Sequence, residues 1–131
     1  VIATSALSEL PDAAFFARLH ASSAVFSTGL AAAFDDLAAL YDAAAPAPLA
    51  ARSAELQRRL HTLSGCAATF GYRRLGAEAR ALEQRLRVLQ AFDAVPEVDW
   101  IEWFSQLTNM LDWARRDPRA EHGAPSALQL L

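Results

Sequence analysis

Apolar residues recur at steps of three and four along most of the chain, and this spacing predicts helices nearly throughout. Residues 1–10 read as a loose lead-in. Pro11 and Asp12 are expected to start a short helix carrying Phe15, Phe16 and Leu19, since proline suits an early helical position. A longer helical pattern follows, with Phe26, Leu30, Phe34, Leu37 and Tyr41, and the alanine–proline run from Ala43 to Pro48 ends it. A third helix is expected from about Leu49 to about Phe70, with Gly71 as its stop. A fourth spans roughly Tyr72 to Phe92. Its Leu75, Ala79, Leu82, Leu86 and Leu89 alternate steps of four and three, the seam of a left-handed bundle. Asp93 to Pro96 breaks the chain. A fifth helix, from about Glu97 to Arg116, places Trp100, Phe104, Leu107, Leu111 and Ala114 on one face, and Asp117-Pro118 stops it. Short connections between long amphipathic helices predict an all-α fold, an antiparallel four-helix bundle with an additional short N-terminal helix. The chain reads as one domain over residues 1–131, with a helical core at about 12–116 and a tail or linker at 117–131.

Composition supports helices over strands. Hydrophobic residues make up 53% of the chain, which suits a folded globule. Alanine is abundant, and Val, Ile and Thr are scarce. The net charge of −3 and the lack of a basic stripe argue against a nucleic-acid binder. A single cysteine, Cys66, excludes an internal disulfide and fits a reducing, cytoplasmic compartment. No apolar run is expected to span a bilayer, and no signal-peptide pattern is read at the N-terminus. All 12 basic residues are arginine.

The third helix carries the candidate chemistry. At about 100° per residue, with His61 at zero, Leu56, Leu60, Leu63, Ala67 and Phe70 fall between about 180° and 260°. His61 lies nearly opposite this stripe and is expected to face solvent. Gln57, Arg58, Ser64, Gly65 and Ala68 share its face. Arg59 falls on the apolar side and is expected to snorkel out at an edge. An exposed histidine is most simply a solvated helix residue. Gly65 changes the picture, because glycine in a helix interior costs roughly 1 kcal/mol relative to alanine. On the exposed face close packing cannot account for it, but it clears an approach to the imidazole. An accessible neutral ring nitrogen can attack an activated phosphoryl group and hold it as a phosphoramidate. A metal site fits less well. His20 and His122 lie in distant segments, and no His or carboxylate stands three or four residues after His61. There is also no glycine-rich phosphate loop to suggest a nucleotide site.

The stretch His61, Leu63, Ser64-Gly65, Cys66-Ala67-Ala68, Gly71, Leu75 and Leu82-Glu83 resembles the pattern of histidine-containing phosphotransfer (HPt) domains. The expected bundle extends this likeness over residues 12 to 116. The resemblance implies a phosphorelay carrier of two-component signalling, bacterial and cytoplasmic. It would take a phosphoryl group from a receiver-domain aspartate and pass it to another receiver, with no autonomous kinase activity. Its partners would be response-regulator receivers, and a hybrid sensor kinase is a further candidate; neither nucleic acid nor membrane is implied. The chain would be a monomer without a cofactor of its own, the receiver bringing the Mg²⁺. His61 would be the phosphoacceptor, through its outer ring nitrogen. Gly65 would clear the docking face, and Gln57, Arg58, Ser64 and Ala68 would border it.

One departure stands out. The family usually places lysine three residues after the histidine, and this chain has Ser64. Ser64 could donate one hydrogen bond to a phosphoryl oxygen, Arg58 on the same face could supply the charge, and Arg87 on the neighbouring helix is a weaker candidate. Glu83 either anchors helix packing or orients the His61 ring. Arg73-Arg74 reads as a solvated helix start, with partner docking as the alternative. Trp100, Trp103 and Trp113 read as core and bundle edge. Two other functions remain open: the phosphoacceptor domain of a chemotaxis-type histidine kinase, which the run Ala67 to Tyr72 also resembles, and a degenerate HPt-like docking module without phosphotransfer.

Overall fold

The computed structural model of the chain describes residues 13–42 and 49–121, with Leu49 described by its backbone alone. The lead-in, the alanine–proline run and most of the tail, including His122, lie outside the described residues. Four helices are present among them, and no strand: α1, Ala13–Tyr41; α2, Leu49–Thr69; α3, Arg73–Gln90; and α4, Glu97–Arg116. The all-helical expectation therefore holds. The packing divides the chain inside α1, into Val1–Leu30 and Ala31–Leu131.

The expected break between a short first helix and a longer second one does not occur, and α1 runs unbroken for 29 residues. No proline falls within it, and a lone interior Gly29 costs too little to stop a helix of this length. Joining the two segments also corrects the bilayer expectation. None of the positions between Arg18 and Asp35 holds Asp, Glu, Lys or Arg, and by length and composition α1 could cross a membrane. Its Phe15, Phe16, Leu19 and Val25 are exposed.

In the second unit the apolar stripes meet as their periods predict. Phe34 and Leu37 of α1 are buried, as are Leu56, Leu60, Leu63 and Ala67 of α2. Along α3, Leu75, Ala79, Leu82 and Leu86 form the buried seam, and Leu89 ends it half-buried. The buried face of α4 is turned from the expected one. It centres on Trp103, Leu107, Met110, Leu111 and Ala114, and leaves Trp100 and Phe104 half-buried. Trp103 can be fully enclosed because its indole N–H donates to the Leu82 carbonyl at 3.0 Å. Trp113 donates to Glu78 at 2.7 Å, with Arg74 stacked 3.9 Å from its ring centroid. Trp103 and Trp113 are therefore core residues, and Trp100 lies half-buried with its ring 6.2 Å from that of Phe104. Arg59, the misfit on the apolar side of α2, reaches out to Glu55 at 2.9 Å and to Asp36 of α1 at 3.0 Å.

Two glycines shape the α2–α3 hairpin. Gly71 has φ of 85°, the left-handed conformation that ends a helix, and the following Tyr72 N–H donates back to the Ala67 carbonyl at 2.8 Å. Gly76 lies where the helices touch. A Cβ there would stand 3.2 Å from the Ala68 nitrogen and 3.3 Å from the Ser64 oxygen. Contacts between α2 and α3 climb one helix as they descend the other, pairing Ser53 with Gln90, His61 with Glu83, and Ala68 with Gly76. These two helices therefore run in opposite directions, closely apposed near the candidate site.

Candidate functional site: His61 and the α2–α3 groove

His61 sits midway along α2, opposite its buried leucines, and its side chain is 71% exposed. One edge of the ring is tied down. Nδ1 lies 3.1 Å from Oε1 of Glu83, a residue of α3 that is otherwise buried. The same oxygen accepts from Nη2 of Arg87 at 2.8 Å. An ionised carboxylate can only accept hydrogen bonds, so this contact places the proton of the neutral imidazole on Nδ1. The Nε2 lone pair is then unprotonated. Of the two roles open to Glu83, the geometry supports orientation of the ring, and its position between the helices lets it serve packing as well.

A groove between α2 and α3 passes beside the imidazole. Ser64, Gly65 and Ala68 form its α2 wall, and Arg73, Gly76, Ala77, Arg80, Gln84 and Arg87 face them from α3. Among the described residues, Glu83 is its single carboxylate. Small residues keep the floor low. A Cβ at Gly65 would meet nothing within 4 Å, so no packing demand accounts for this glycine.

The residues expected around His61 separate into two groups. Ser64, Gly65, Ala68, Glu83 and Arg87 line the groove with it. Gln57 and Arg58 do not. Gln57 is half-buried on α2, and Arg58 turns away to form a two-point pair with Glu55, donating from Nε at 2.9 Å and also from Nη2. The hydrogen bond from Arg58 is the main cause holding the Glu55 carboxyl below its ordinary value, and the same pairing raises Arg58. A lowered carboxyl pKa stabilises the fold above the unfolded value, and that contribution is lost as pH falls through the lowered one. Both groups are solvent-exposed, so the pair is a surface feature. Ser64 is also engaged. Its hydroxyl donates to the His61 carbonyl at 3.0 Å, which occupies its one proton.

Of the α3 wall beyond Glu83 and Arg87, only Arg73 is read from the sequence, as the docking alternative; Gly76, Ala77, Arg80 and Gln84 are additions. Gly76, Arg80, Glu83 and Arg87 recur at steps of four, three and four, so they share one face of the helix. That periodicity, traced from Glu83, is the sequence signal that locates Arg80. Among the described residues, no group of three or more His, Cys, Asp or Glu could hold a metal ion.

Comparison with curated proteins and with solved structures gave no match. A family model described as Hpt domain matches residues 24–117. This span includes α2, α3 and α4 entire, and with them His61, Gly65, Glu83 and Arg87. The match covers most of the sequence, and the chain belongs to the Hpt domain family, the histidine phosphotransfer carriers of two-component signalling.

Proposed function

We propose that His61 is the phosphoacceptor of this domain, taking a phosphoryl group from a receiver-domain aspartate and passing it to another receiver. One observation carries this reading: an exposed imidazole whose Nδ1 is held by a buried carboxylate, with open space over the neighbouring glycine. In the step, the Nε2 lone pair forms a bond to phosphorus as the bond from phosphorus to the aspartyl oxygen breaks. The electron pair of that bond stays on the aspartate. Nδ1 keeps its proton, so the ring gains positive charge as the bond forms. Glu83 faces that charge at 3.1 Å and favours the charged product over the neutral ring. Reversal onto a second aspartate needs no proton to move.

The receiver, on this account, brings the Mg²⁺ and most of the catalytic groups, and the chain contributes a positioned nucleophile and a docking face. Contacts of α1 with α2 through Asp36 and Arg59, and with α4 through Asp35 and Arg115, support closure of the helices into a four-helix bundle, for which the proposal takes the antiparallel order. On this proposal the domain works in the cytoplasm as a monomer, alone or joined to a hybrid sensor kinase. The docking-only reading draws on Ser64, which leaves no cation one turn after the histidine. Incubation with a ³²P-labelled phosphorylated receiver separates the two. Acid-labile label should leave the receiver and appear on the wild type, and His61→Gln should take none while keeping its helical content. Receiver binding without label on the wild type would establish the docking module instead.

A further inference from the structure

We infer that Arg80 is the phosphoryl-binding cation of this domain, standing in from α3 for the lysine that α2 lacks; the inference rests on His61 being the phosphoacceptor. A phosphoryl group on Nε2 carries negative oxygens into the groove, and a cation within hydrogen-bond reach stabilises both the product and the transfer. The other candidates are occupied or stand too far off: Arg73 also lines the groove, but the register puts it level with the turn at Gly71, ten residues beyond His61. The Ser64 hydroxyl donates to the His61 carbonyl, Arg58 is paired with Glu55 outside the groove, and Arg87 is bound to Glu83. Arg80 lines the same groove as His61, is exposed, and has no carboxylate partner among the described residues.

The register of the two helices places it further. His61 stands level with Glu83, and Ala68 with Gly76. Ser64 lies between the first residues of these pairs on α2, and Arg80 lies between the second on α3. Arg80 is therefore level with Ser64, across a gap that Gly76 keeps narrow. The guanidinium approaches from the opposite wall to the one lysine would use, and arrives at the same level of the groove. Its planar fork can also bind two phosphoryl oxygens at once in a fixed geometry, where lysine offers a point charge.

The test uses phosphoramidate, a small donor that needs no docking partner. Nε2 bonds to phosphorus, the P–N bond breaks, and its electron pair leaves with nitrogen as ammonia. The readouts are the initial rate of acid-labile labelling and the half-life of phospho-His61. Arg80→Ala should slow labelling about tenfold, the size of one charge-assisted hydrogen bond. Arg80→Lys should recover most of the rate, and Ser64→Lys should rescue Arg80→Ala by restoring the missing cation on α2. Arg85→Ala removes the same charge from another face of α3 and should label as the wild type does. A labelled wild type with Arg80→Ala unchanged in rate and half-life would overturn the arginine's role and leave the phosphoacceptor intact. A wild type that takes no label from phosphoramidate or from a phosphorylated receiver would overturn both.

Discussion

Two donors meet at one oxygen of Glu83, the His61 ring at 3.1 Å and the Arg87 guanidinium at 2.8 Å, and the tautomer of the histidine follows from that meeting. Arg87 holds the carboxylate, the carboxylate holds the ring, and Nε2 is left for chemistry. Glu83→Gln keeps the shape and removes the charge. Transfer from a phosphorylated receiver should then slow by about tenfold or more, since a hydrogen bond to a charged group contributes about 1.5–3 kcal/mol. An initial rate equal to that of the wild type would reduce Glu83 to a packing residue. Gly65 is a second residue-scale determinant. Adding a side chain meets no protein atom, so Gly65→Gln should raise stability by up to about 1 kcal/mol in denaturant unfolding. The same variant should impair transfer from a receiver by crowding the docking face. Stability and activity are expected to move in opposite directions, and an unaltered transfer rate would remove the functional account of this glycine.

At the scale of elements, what was legible in the sequence depended on whether one helix sufficed to reveal it. The exposure of His61 and the burial of Leu56, Leu60, Leu63 and Ala67 follow from the period of α2 alone. The burial of Leu75, Ala79, Leu82 and Leu86 follows from the seam of α3. Which of its two roles Glu83 plays, and the true position of Arg58, depend on a second side chain, and periodicity does not rank one rotamer above another. Arg58 was drawn to Glu55 one turn back, a local pairing that a helical projection permits but does not weigh against a groove. On α4 the buried Trp103, its N–H met by the Leu82 carbonyl of α3, marks a face that the period alone does not select, again a contact between elements. The role of Gly76 is not legible in the sequence, because a glycine amid a helical pattern signals nothing until a second backbone lies beside it. Gly76→Leu should destabilise the fold by about 1–3 kcal/mol, as overpacking does, because the added atoms meet the backbone of α2. A variant of unchanged unfolding midpoint would mean that α2 and α3 separate at little cost. The two helical glycines of this hairpin thus predict opposite signs, Gly65 for function and Gly76 for packing.

For the whole molecule, the proposed chemistry lies on the α2–α3 hairpin, against which α4 packs through Trp103. Residues 13–22 of α1 are exposed, and the family match begins at residue 24. Removal of residues 1–23 is therefore expected to leave the unfolding midpoint of the remainder within a few degrees and its phosphorylation rate unchanged. A loss of cooperative unfolding would assign those residues a part in the core. The most direct test of the account as a whole follows ¹⁵N-labelled His61 by NMR while a phosphorylated receiver is added. Before transfer, the ring should show a proton on Nδ1 and none on Nε2. After transfer, phosphorus should couple to Nε2, with the Nδ1 proton retained against Glu83. Phosphorus on Nδ1, or an unchanged imidazole in a domain that binds the phosphorylated receiver, would contradict it.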